Sequence, residues 1–98
     1  MIHQKYYTKG RHKECIEEMQ DIAGIKTVFD FCLMNMYKYS YRAGLKTKNR
    51  LHDMDKIKWY KEYTVRIINS RHLLVRLIYN RKYQRVLKAC AEVLNDND

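Results

Sequence analysis

The sequence predicts an all-α fold, a small bundle of three to four helices, and three observations carry that reading. No proline occurs anywhere and only three glycines do, Gly10, Gly24 and Gly44, so helix breakers are scarce. Apolar residues recur at three- and four-residue spacing along most of the chain, which is the period of an amphipathic helix. Hydrophobic residues fill 46% of the 98 positions, enough for a packed core and too many for a disordered chain. Residues 1–98 therefore read as one domain with one core.

The first helix is read from "HKECIEEMQDIAG". Cys15, Ile16, Met19, Ile22 and Ala23 share helical spacing, Glu14, Glu17 and Glu18 suit the positive end of the helix dipole, and Gly24 suits the position after the last turn. In "TVFDFCLMNMYKYSYRAG", Thr27 can cap and Gly44 can stop a second helix of about four turns. Phe29, Leu33, Met36, Tyr37 and Ser40 form its core face. "LKTKNR", residues 45–50, reads as a basic loop. Periodicity then resumes through Leu51, Met54, Ile57, Tyr60, Thr64 and Ile67 as a third helix.

Asn69 and Ser70 can interrupt that helix, with Ser70 capping a fourth, and a single long helix across 51–94 is the alternative. Residues 62–94 form the C-terminal helical part, in which "LLVRLIY" is apolar nearly all round. A helix apolar on several sides needs more than one partner, so a homo-oligomer assembled through this region is expected, and charged replacements at Leu74 and Ile78 should change its mass. The terminal "NDND" is expected to fray.

Composition narrows the partners. Twenty Lys and Arg against eleven Asp and Glu give a formal charge of +9, which favours anionic partners such as nucleotides or nucleic acid. Cys15, Cys32 and Cys90 are odd in number, widely spaced and lack a C-x-x-C, so neither a disulfide framework nor a zinc knuckle is supported, which fits a reducing cytosol. The opening "MIHQKYYTKGRHKE" has no apolar signal core, and no run approaches the roughly 18 apolar residues of a spanning helix, so a soluble chain with no membrane association is expected.

Within the second helix, Asn35, Lys38 and Arg42 fall within about 60° of one another, on the side away from Phe29, Leu33, Met36 and Ser40. Lys46, Lys48 and Arg50 extend this basic character into the loop. Arg offers a planar fork for phosphate, Lys a mobile charge, and Asn both a donor and an acceptor. Tyr39 and Tyr41 beside them suit stacking of a base. On the third helix Asp53, Lys56, Tyr60 and Thr64 share a stripe beside Trp59, a candidate second wall where Lys56 meets phosphate, Asp53 accepts a hydroxyl or orients a lysine, and Trp59 stacks. Competing readings are a solvated basic face for the second helix and an ordinary i, i+3 pair for Asp53 with Lys56.

These residues resemble a known pattern. "FCLMNMYKYSYRAGLK" resembles F-C-x-G-N-x-x-K-Y-x-x-R-A-G-x-K, "HDMDKIKWYKE" resembles the D-L-x-K-A-x-W-Y-L that follows it, and "YYTKGRHKECIEEM" resembles the opening H-Y-x-x-G-G-x-E-C-I-D-x-I of small phage-encoded nucleotide kinases. The likeness spans residues 6–61, with Asn35, Lys38, Arg42, Lys46, Asp53 and Lys56 all matching. It implies a helical, oligomeric phage protein that handles nucleotides in the host bacterial cytoplasm. Tyr6 in place of histidine, Arg11 in place of the second glycine and Met34 in place of the glycine before Asn35 depart from the pattern.

The expected nucleotide-binding set is therefore Asn35, Lys38, Tyr39, Arg42, Lys46, Asp53, Lys56 and Trp59, with no catalytic residue assigned. A nucleoside monophosphate kinase would work with Mg²⁺ brought by the nucleotide and no tightly bound metal, Asp53 or Asp55 being the acids for such an ion. No P-loop and no G-x-G-x-x-G is present, and His3, His12, His52 and His72 are scattered. His52 beside Asp53 is the one His and acid pair to test. A non-catalytic protein that sequesters a nucleotide or cyclic-nucleotide signal of host anti-phage defence needs the same pocket. Nucleic-acid binding is a third class, argued from seven basic groups and no acid over residues 63–91, although Arg66, Arg71, Arg76 and Arg81 step about 140° apart and make no single stripe. Replacing Lys38 or Arg42 by alanine is expected to weaken nucleotide binding and leave stability nearly unchanged.

Overall fold

A computed structural model describes residues 14–95, which form four α-helices and no strand: α1 (Cys15–Ala23), α2 (Ile25–Gly44), α3 (Arg50–Asn69) and α4 (Leu73–Leu94). The departures at Tyr6 and Arg11, the histidines His3 and His12, and the last three residues of the tail lie outside the described residues.

Glu14 and Glu17 close a reciprocal capping box at the start of α1, in which the Glu14 amide donates to Glu17 Oε1. Only Ile16 of α1 is buried, whereas Cys15, Ile22 and Ala23 of the expected apolar face are exposed. A nine-residue helix touches its neighbours along too short a stripe to bury the whole face. Gly24 ends α1 and also begins α2, at φ 92° and ψ 159°, a backbone region that only glycine adopts without strain. The cap expected at Thr27 therefore falls inside α2, which runs 20 residues rather than about four turns.

Helix α2 is the central element and packs against the other three. Arg42 with Asp53, Tyr39 with Tyr60 and Met36 with Thr64 set α3 antiparallel to it. Phe29 with Tyr79, Asp30 with Lys82 and Gly44 beside Val93 set α4 parallel to it. Val28, Phe29, Cys32, Leu33 and Met36 supply the centre of the core, with Ile67, Ile68, Tyr83, Val86 and Cys90 from the flanking helices. Tyr37, expected on that face, is 36% exposed and sits at its edge.

Gly44 is a glycine because of packing. A methyl group there would overlap the Val93 carbonyl oxygen, so the absent side chain is what lets α4 approach α2. The turn after it places Lys46 at φ 56° and is tied down by the Arg50 guanidinium, which donates to the Ala43 carbonyl. Arg50 thus begins α3 and serves the turn.

The alternatives for residues 51–94 resolve as two helices. Ser70 closes α3, its hydroxyl donating to the Ile67 carbonyl at 2.7 Å, and His72 in extended conformation begins α4. The expected Ser70 cap of the last helix is thus corrected, and residues 62–69 belong to α3. Arg76 reaches back to the carbonyls of Asn69, the last residue of α3, and of Arg71 in the turn, giving both a donor at the helix end. Among the described residues no helix is long and apolar enough to cross a membrane.

Candidate functional site

Helices α2 and α3 bury four polar side chains, Ser40 toward Cys90 of α4 and Asn35, Asp53 and Thr64 along the seam between α2 and α3. Three of them satisfy themselves within their own helix. Asn35 Nδ2 donates to the Phe31 carbonyl at 2.9 Å, Ser40 Oγ to the Met36 carbonyl at 2.7 Å, and Thr64 Oγ1 to the Tyr60 carbonyl at 2.7 Å. Each is a bond to the carbonyl four residues back, which lets a short polar group enter a core.

Asp53 is the exception. It is 1% exposed, and neither carboxylate oxygen accepts a hydrogen bond. Its ion-pair partner is Arg42, whose Nη2 lies 3.6 Å from Oδ1. Buried polar atoms almost always have partners, so an uncompensated carboxylate in a helix seam calls for a physical account. The arrangement is asymmetric: the acid is covered, while the Arg42 side chain is 48% exposed. A guanidinium has five N–H donors, so one edge can face Asp53 while the others face a ligand.

Around that pair the expected residues separate into two groups. Lys38 Nζ lies 4.7 Å and Arg42 Cζ 5.4 Å from the Tyr39 ring centroid, both within cation–π range. Tyr39 in turn stacks on Tyr60, at 6.1 Å and 13° between planes. Lys38, Tyr39, Arg42 and Asp53 are thus one cluster. Lys56 and Trp59 stand on the far side of Tyr60, where with Phe31, Ile16, Met19 and Cys15 they line a mainly apolar cavity of about 130 Å³ between α1 and the α2–α3 hairpin. Tyr60 belongs to both and joins them.

Other expectations change. Asn35 is not on a solvated stripe; it is 8% exposed and its amide is turned to its own helix, because the edge of α2 that carries it meets α3. Met34 is 56% exposed, so its bulk points away from that seam. Lys46 lies in the turn, held by its left-handed backbone. The i, i+3 pairing of Asp53 with Lys56 gives way to the tertiary partner Arg42. His52 is exposed where Asp53 is buried, since adjacent helical residues point about 100° apart, and they form no pair. Covered on both oxygens, Asp53 is not presented to a metal ion from solution, and among the described residues no three His, Cys, Asp or Glu side chains gather as metal ligands.

Burial pushes the Cys32 thiol up to about 12 and raises that of Cys90, so neither is a thiolate near neutral pH. Arg42→Ala now acquires a structural cost, because it would strand Asp53 in the seam. Phe31 had no role in the sequence reading and Tyr60 was only a member of a stripe. The signals that mark them are the aromatic that opens "FCLMN" and the Trp-Tyr pair of α3.

A family model with the description "Protein of unknown function (DUF3310)" matches residues 3–62. The chain belongs to the DUF3310 family. The DUF3310 segment includes α1, α2 and α3 as far as Glu62, so it contains the Arg42–Asp53 pair, the Tyr39–Tyr60 stack and the apolar cavity, and it ends before α4. Neither a curated protein nor a solved structure matches the chain.

Proposed function

We propose that this protein binds a nucleotide on the α2–α3 face, with Arg42 and Lys38 holding phosphate and the cavity beside Tyr60, Trp59 and Lys56 receiving the base. The observation that carries the reading is the buried Asp53 beneath the half-exposed Arg42. A carboxylate so placed fixes the guanidinium from below and leaves its outer N–H groups for an anion, at a site where a bidentate fork matches phosphate geometry. Lys38 adds a second exposed cation, Tyr39 keeps the two together, and aromatic rings around an apolar cavity suit a planar base.

Asp53 is in this reading a positioning residue, not a holder of metal. Mg²⁺ would arrive on the nucleotide's phosphates and keep most of its waters. Transfer of a phosphoryl group, by a nucleoside monophosphate kinase without a P-loop, is the activity that the likeness to phage nucleotide kinases adds; a phage protein of that kind works in the host bacterial cytoplasm. Sequestration of a nucleotide or cyclic-nucleotide defence signal makes the same contacts without turnover. Nucleic-acid binding is less well supported, since Arg76 is committed to the α3–α4 turn.

A thermal-shift panel at constant salt and magnesium tests the reading, with deoxynucleoside monophosphates, nucleoside triphosphates, cyclic dinucleotides and short DNA as ligands. Stabilisation by monophosphates and triphosphates leads to an assay of phosphate transfer between them. A shift with cyclic dinucleotides alone makes the protein a sequestering one, and a shift with DNA alone refutes the nucleotide site.

A further inference from the structure

Among the described residues, charge differs between α1 and the first part of α4. Glu14, Glu17, Glu18 and Asp21 lie in or beside α1 with no cation among residues 14–24, whereas α4 and its approach carry Arg71, Arg76, Arg81, Lys82, Arg85 and Lys88. Between α1 and α3 runs a polar groove of about 440 Å³, walled by Glu14, Glu17, Glu62, Trp59, Tyr63 and Arg66. Trp59 and Tyr63 stack at 5.7 Å, and Arg66 rests 5.4 Å over the Tyr63 ring. The aromatic wall thus already accommodates one guanidinium.

The first two turns of α4 have the complementary character. Leu73, Leu74, Leu77 and Ile78 are 69%, 76%, 56% and 67% exposed. They span an arc of about 140°, and Arg81 and Arg85, also exposed, continue the same arc toward the helix end. Four large apolar side chains on one short arc form a contiguous patch of the kind that marks a contact surface. Residues 73–85 contain no acid, so the glutamates of the α1–α3 groove offer Arg81 and Arg85 partners that this face cannot offer to itself.

We propose that the exposed start of α4 in one copy docks into the α1–α3 groove of a second copy, a head-to-tail contact. Leu74, Leu77 and Ile78 pack on the aromatic wall while Arg81 and Arg85 meet Glu17 and Glu62. Head-to-tail contacts close into rings when the rotation between copies permits and otherwise propagate. Trp59 and Glu14 line both this groove and the apolar cavity, so the incoming helix stands next to the proposed base site. The contact is defined without any ligand, and its test is independent of nucleotide binding.

The experiment measures mass in solution by light scattering and sedimentation for two variants, alone and mixed. Leu74→Asp with Ile78→Asp disables the α4 face. Glu17→Gln with Glu62→Arg disables the groove and keeps a capping-box residue at position 17. The altered positions are exposed, and circular dichroism checks that each variant is folded. The expected result is an assembled wild type, two variants at the mass of a single chain, and a one-to-one heterodimer on mixing, because one intact face and one intact groove remain between them. A monomeric wild type overturns the proposal. So does a groove variant that assembles like wild type, or a mixture in which both variants stay monomeric.

Discussion

The α2–α3 seam and the first two turns of α4 break the usual inside and outside rule in opposite directions. The seam buries a carboxylate without a hydrogen bond, and the α4 start exposes Leu73, Leu74, Leu77 and Ile78. Both are the informative kind of violation, since scattered exposed apolar residues and self-satisfied buried hydroxyls need no explanation. Thr64 shows the bland case within the same seam, bonded to its own helix. On the two proposals above, the contrast separates a surface for a charged ligand from one for a protein partner.

Two leucines give the largest difference between these regions. Leu33, wholly buried in the α2 core, should cost roughly 2–5 kcal/mol when replaced by alanine. Leu74→Ala should change the stability of the single chain by no more than about 0.5 kcal/mol, since it lies on the surface. Urea denaturation of both variants at low concentration, where copies separate, is the check. Equal losses would mean that the α4 start is covered within one chain.

Arg42→Ala comes next, with an expected loss of about 3 kcal/mol from the uncompensated carboxylate it leaves behind. Asp53→Asn, which removes the buried charge and leaves a half-exposed cation, should lose less than about 1 kcal/mol. The double variant should recover most of the Arg42→Ala loss, and additive losses in that cycle would dissolve the coupling. Gly44→Ala should cost about 2 kcal/mol by forcing α4 away from α2, seen as a lowered denaturation midpoint.

The smallest effect concerns the tie between α2 and α4. Burial raises the Asp30 carboxyl, but hydrogen bonds from Lys82 at 2.7 Å and Lys26 at 3.4 Å outweigh it and hold the group below its ordinary value of 3.8. A carboxyl depressed in the folded state stabilises above its unfolded pKa, and that contribution is lost as pH falls through the folded value. Wild type should therefore lose stability below about pH 4 slightly faster than Asp30→Asn, by under about 1 kcal/mol for so exposed a pair. Parallel acid limbs would show that the bridge contributes nothing.

The all-α class and most helix bounds were legible because periodicity and punctuation are local properties, whereas these left open the division of residues 51–94 into two helices. Gly24 and Gly44 stand where the chain turns, yet for different reasons, a left-handed φ in one and a close approach to Val93 in the other. Only the first could be argued from turn chemistry. The caps at Thr27 and Ser70 misled because a side chain able to cap does so only where the backbone leaves the helix, and that point was set by Gly24 and His72.

The site was legible as a set of residue types and illegible as a geometry. A helical wheel of α2 places Asn35 with Lys38 and Arg42, but which edge of the wheel meets α3 is a tertiary fact, and it buries Asn35 while leaving the two cations in solvent. The same applies to Asp53, whose near neighbour Lys56 is the obvious partner in sequence and whose partner in space is Arg42, eleven positions away. The apolar cavity needed α1 folded over Phe31 and Trp59, a contact between segments far apart in the chain.

The most direct test of the nucleotide site is a calorimetric titration of mononucleotides into wild type, Lys38→Ala and Asp53→Asn, with unliganded melting temperatures measured in parallel. Lys38 is exposed and Asp53 has no hydrogen bond to lose, so both variants should melt close to wild type. The account expects saturable binding to wild type and a loss of roughly tenfold or more in each variant, the worth of one charge-assisted contact. Absence of mononucleotide binding by wild type, or equal affinity in all three proteins, would contradict it.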